Sequence, residues 1–99
     1  MIVDYKNNKI KKICTNYTAA VKEYGTDNAD KITERIDQIS SASSVNELIQ
    51  FGIGRCHPLE GNRKKEYAMD LVHPHRLVFS VDSSNKNQIA IIIEVIDYH

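Results

Sequence analysis

A chain of 99 residues makes one domain with a small core, and leaves little surface for a second function. Thirteen Lys and Arg balance thirteen Asp and Glu, so no net field draws the molecule towards nucleic acid or an anionic membrane, and its charge must act through local patches. No window approaches the roughly 18 apolar residues of a membrane span, and no charged and then apolar leader opens the chain, so the expectation is a cytoplasmic protein.

In chain order, Ile2 and Val3 predict a short first strand. From Asn7 or Asn8 the period changes. Ile10, Ile13, Cys14, Tyr17, Ala20, Val21 and Tyr24 recur at steps of three and four and predict one amphipathic helix, stopped by Gly25 as by a C′ glycine. Thr26 and Asp27 are the candidate N-caps of a second helix, with Ala29, Ile32, Ile36 and Ile39 as its buried stripe. The short break predicts a helical hairpin. Ser44 followed by Glu47 has the form of a capping box for a short turn through Leu48 and Ile49.

Beyond Gly52 and Gly54 the pattern is β. Tyr67, Met69 and Leu71 alternate with Glu66, Ala68 and Asp70, and Leu77, Phe79 and Val81 alternate with Arg76, Val78 and Ser80, so each strand has an apolar and a more polar face. Residues 72–75 form the turn between them, and residues 82–87 the next loop. Residues 89–96 are apolar almost throughout, as expected of a central strand covered on both sides. The expected architecture is a single α+β domain over residues 1–99, a helical hairpin on one face of a mostly antiparallel sheet whose other face is concave and polar.

Charge is distributed unevenly. Lys6, Lys9, Lys11 and Lys12 form one basic cluster, and Arg55, Arg63, Lys64 and Lys65 a second, whereas Glu23, Asp27, Asp30, Glu34 and Asp37 make the middle acidic. Residues 55–65 also hold His57 before Pro58 and supply the rim of the polar sheet face, onto which Arg76 points by alternation. The chain closes on Asp97-Tyr98-His99. Two residues apart on a strand, Asp97 and His99 share a face, with Tyr98 opposite. Histidine as a residue type changes charge near neutral pH, so His57 and His99 suit a base and an acid. Arg63 and Arg76 can brace a phosphate through paired donors. Together these groups suit metal-free RNA cleavage, in which a ribose hydroxyl attacks the neighbouring phosphate while the leaving oxygen is protonated. Four histidines without matching carboxylate spacing do not make a metal site, and no cofactor is expected. Cys14 falls on an apolar helical stripe. Cys56 is adjacent to His57 on an extended segment, where neighbours point to opposite faces, so the two are not a nucleophilic pair.

The order Cys56-His57-Pro58-Leu59-Glu60-Gly61-Asn62-Arg63-Lys64, then Tyr67, then Arg76-Leu77-Val78-Phe79 and the closing Asp97-Tyr98-His99 resembles the HigB-type (plasmid-maintenance killer) toxins of the RelE/ParE superfamily. Three separated matches stand in the family's order, and the upstream helical hairpin fits as well. The sequence departs from the family pattern at Glu60, at Lys65-Glu66, at His73-Pro74 and at His75. The resemblance implies a RelE-like fold and the toxin of a type II toxin–antitoxin system, which enters the ribosomal A site and cleaves translated mRNA. A cognate antitoxin would silence it, and operator DNA would be met only through the antitoxin complex. It further implies catalytic roles for His57, Asp97, Tyr98 and His99, and phosphate stabilisation by Arg63 and Arg76. Lys64, Lys65 and the first-helix lysines, Lys9 and Lys12 among them, would contact ribosomal or messenger RNA, with Arg55 on the same rim. Two other readings remain open: a ParE-like inhibitor of DNA gyrase, and a catalytically weak module that binds antitoxin and operator.

Overall fold

A computed structural model describes residues 1–63, 65–84 and 86–97. Strand β1 (Ile2–Tyr5) leads into three helices, α1 (Asn8–Thr15), α2 (Tyr17–Tyr24) and α3 (Thr26–Ser41), followed by the short α4 (Val45–Gln50). A single 3₁₀ turn (Ile53–Arg55) enters the two-residue strand β2 (His57–Pro58), and a second (Gly61–Arg63) precedes β3 (Glu66–Asp70), β4 (His75–Asp82) and β5 (Ile89–Asp97). The sheet order is β1-β5-β4-β3-β2, antiparallel throughout except for the parallel pair β1 and β5. The expected α+β architecture is therefore present.

The stripe expected to form one helix forms two. Asn16 has an extended backbone, its N–H still closes α1 on the Lys12 carbonyl, and its side chain accepts from Ala19 N at 3.1 Å. An asparagine that can satisfy an orphan N–H competes with helix continuation, so the apolar stripe runs on while the backbone breaks. Gly25 (φ 86°) ends α2 as expected and also opens α3, so neither Thr26 nor Asp27 caps with its side chain. Asp27 does place its charge in the first turn of α3. Ser44 caps α4 by accepting from Glu47 N, and Glu47 reciprocates to Ser43 N, one residue off the usual box.

The helices cover one face of the sheet. Ile10, Ile13, Ala29, Ile32, Ile39 and Leu48 from the helices meet Met69, Leu77, Phe79 and Ile92 from the strands in one core, with Tyr67 stacked on Phe79. Asn28 and Arg35, both buried, fasten α3 to the sheet. Asn28 accepts from Val72 N at 3.0 Å and donates to His75 Nδ1 at 3.3 Å, while Arg35 Nε donates to the Asp70 carbonyl at 2.7 Å. His75 thus belongs to the helical side, with Tyr24 edge-on to its ring.

Among the described residues no α-helix covers the opposite face, which corrects the expectation that residues 89–96 are covered on both sides: Ile89, Ile91, Ile93 and Ile96 stay half-buried. That strand also carries a bulge. Phe79 pairs with Ile92 and Val78 with Glu94, so Ile93 has no opposite number. Ile93 and Glu94 therefore both lie on the open side, and alternation resumes with Val95 turned to the helices. No helix among the described residues is long and apolar enough to cross a membrane.

Candidate active site on the open sheet face

Strand pairing sets His57, Ala68, Val78 and Glu94 in one row across the open face, and Asp70, Arg76 and Ile96 in the next. His57 is half-buried on the short edge strand, and its Nδ1 lies 2.8 Å from the Arg55 carbonyl. A carbonyl only accepts, so Nδ1 carries a proton, and Nε2 is the nitrogen through which the ring can exchange one. The segment leading in is unusual backbone. Gly52, Gly54 and Arg55 all have positive φ, and a Cβ on Gly54 would come 2.6 Å from Arg35 Nε. The tight left-handed turn brings the Arg55 carbonyl to the ring two residues on.

Each arginine expected at the phosphate already faces a carboxylate. Arg63 Nε donates to Glu66 Oε1 at 2.6 Å and Nη2 to Glu94 Oε2 at 3.0 Å, so its guanidinium crosses β4 from β3 to β5 over the fully buried Val78. The Glu66 hydrogen bond pushes its pKa still further up, burial opposing and Glu94 adding, so Arg63 remains a cation. Asp70 lies between Arg55, which binds Oδ2, and Arg76, whose Nε is 3.5 Å from Oδ1. Arg76 stands on the open face as its alternation predicts. None of the three carboxylates was singled out from the sequence. Glu66 and Asp70 were legible as the polar face of β3, whereas Glu94 sits in an apolar run at the parity of Ile92, and only the bulge turns it outward.

The same bulge moves Asp97. Register pairs it with His75 on the helical side, so Asp97 does not share a face with His57 or Arg76, contrary to the alternation read from the sequence. Lys65 is exposed at the start of β3, and Arg55 stands at the rim as expected. Lys9 and Lys12 lie with Lys22, Asn16 and Glu23 along a groove of α1 and α2, in the helical layer and away from the open face. Lys64, Tyr98 and His99 lie outside the described residues. Among the described residues, no three His, Cys, Asp or Glu side chains gather as a metal ion would require. Burial pushes the Cys56 thiol up to about 11 and that of Cys14 to about 12, so both are neutral at physiological pH. Cys56 packs into the core while His57 faces out, as adjacent extended residues should.

What remains is a half-exposed imidazole with a bare nitrogen beside a face crossed by three guanidinium groups, a set that can move a proton next to a bound anion. No protein-family model matches the chain, and no curated protein does. Solved structures do. A "YoeB/ParE toxin from Agrobacterium tumefaciens" superposes with a TM-score of 0.66 over 100% of both chains at 17% identity. Toxin structures from Staphylococcus aureus, one of a "YoeB-YefM complex" (22% identity) and one of a YoeB dimer (21% identity), each superpose with a TM-score of 0.63 over 100% of this chain and 97% of the other. The chain has the fold of these YoeB/ParE toxins.

Proposed function

We propose that the protein is the toxin of a type II toxin–antitoxin system, HigB-like in its motifs, and a ribosome-dependent endoribonuclease. The observation that carries this reading is His57, whose Nδ1 is tied to a carbonyl and whose Nε2 is left bare on a guanidinium-lined face. In this reading Nε2, unprotonated, takes the proton from the 2′-hydroxyl as it attacks the adjacent phosphate, or, with the ring as imidazolium, Nε2–H donates one to the leaving 5′-oxygen. Arg63 and Arg76 hold the phosphate oxygens as charge grows there, Tyr98 and His99 contribute from the chain end without Asp97, and no metal or cofactor takes part. Arg55, Lys64 and Lys65 meet the message at the rim, and Lys9 and Lys12, on the helical side, meet ribosomal RNA. A cognate antitoxin holds the protein silent, a reading supported by the partnered state of one structural neighbour. The setting is the cytoplasm.

The experiment is to add the purified protein to a reconstituted translation reaction with one defined message and map new 5′ ends. Cuts that appear only when ribosomes translate support the reading. No cuts with any concentration of wild-type protein would overturn it. A second reading, a gyrase-binding or antitoxin-binding module with little catalysis, draws on the carboxylates that neutralise the arginines, and a supercoiling assay separates the gyrase form of it.

A further inference from the structure

Arg63 is held on the open face by two carboxylates from two different strands, and the two are not equivalent. Glu66 is three residues away, bonded at 2.6 Å, with its side chain 26% exposed; Glu94 is reached across the sheet at 3.0 Å and is 41% exposed. Two carboxylates around one guanidinium carry a net negative charge, so an incoming phosphate is repelled until one of them leaves. Glu66 is the shorter and better shielded contact. Glu94 is the longer and more exposed of the two contacts. A phosphodiester carries one negative charge, so replacing Glu94 by an RNA phosphate keeps the charge around Arg63 constant while the guanidinium gains the planar two-donor geometry it offers phosphates.

We propose that Glu94 occupies the substrate-phosphate position on Arg63 in the free protein, so that it is a positioning residue that sets affinity for RNA. The proposal rests on the ribonuclease reading above and deepens it. Glu94 also lies in the same cross-strand row as His57, with two strands between them, so their backbones stand roughly 14 Å apart at about 4.8 Å per strand step and their side chains share the open face. Once a phosphate displaces Glu94, the Arg63 guanidinium it held becomes available to a strand of RNA that crosses β4.

The test is equilibrium binding to ribosomes programmed with a message whose A-site codon carries 2′-O-methyl riboses, so that it is bound but not cut. Glu94→Gln is expected to raise affinity about two- to fivefold, fivefold being ~1 kcal/mol. Glu94→Ala, which removes carboxylate and reach together, is expected to move affinity in the same direction should the glutamine variant fold poorly. In the Arg63→Ala background neither change at Glu94 should matter, a coupling that a purely structural role would not produce. Wild-type binding with no gain in either Glu94 variant, or a loss, overturns the proposal and leaves the ribonuclease reading standing. A gain that persists without Arg63 overturns it as well. Absence of binding by wild type and variants alike overturns the ribonuclease reading, and the proposal with it.

Discussion

At the scale of single residues, the proposed chemistry rests on how His57 is held. Its ring is oriented by a backbone carbonyl, a partner that is itself insensitive to pH, which leaves the outer nitrogen as the one the proposal uses. Removing that nitrogen with His57→Ala should lower single-turnover message cleavage by about 10²- to 10⁴-fold, the usual contribution of a positioned acid or base. The urea midpoint should barely move, because the side chain lies half-exposed on a two-residue edge strand. A variant that cuts as fast as wild type would remove His57 from the mechanism. The sequence singles out His57 as a candidate through its place before a proline in a cationic stretch and through the family resemblance that stretch carries. Its orienting partner was not, since the Arg55 carbonyl reaches the ring only through left-handed backbone at a non-glycine residue.

At the scale of elements, β5 decides which side chains the site receives. Strict alternation from Ile92 would bury Glu94 and turn Asp97 to the open face. One extra residue, Ile93, exchanges them: Glu94 comes out to Arg63, and Asp97 turns to His75. Strands, turns and apolar faces were readable from periodicity, and Asn16 and the bulge were not, because each is a one-residue interruption in a stripe that otherwise continues. The turn before β2 is equally dependent on one position. Gly54 has a φ of 57° and no room for a Cβ against Arg35, whose Nε holds the Asp70 carbonyl. Gly54→Ala should therefore destabilise the fold by about 2 kcal/mol or more, combining left-handed strain with displacement of a buried arginine. Urea denaturation measures this, and an unchanged midpoint would mean that Arg35 does not fasten the turn.

At the scale of the whole molecule, a helical layer packs the core and leaves the other sheet face to act. The buried thiols belong to the packed side. Their pKa values are raised in the fold, from 9.0 to about 11 for Cys56 and about 12 for Cys14. Above pH 9 the unfolded chain loses these protons first, so stability is full below pH 9 and falls as pH rises through the folded values. Replacing Cys56 and Cys14 by Ala should flatten the decline in unfolding free energy between pH 9 and 10, where the tyrosines, also raised by burial at Tyr5 and Tyr24, contribute little. An equally steep decline in the double variant would place the lost protons elsewhere.

The open face is the other half, and its assignment as an acid–base ribonuclease specifies the bond that forms. The most direct measurement is the chemistry of the cut ends produced from a defined message during translation. Attack by the ribose hydroxyl leaves a 2′,3′-cyclic phosphate on the upstream fragment and a 5′-hydroxyl on the downstream one, and a single 2′-deoxy substitution at the mapped site should abolish the cut. A 3′-hydroxyl paired with a 5′-phosphate, or cleavage that survives the 2′-deoxy substitution, would contradict the mechanism assigned to His57 and its arginines.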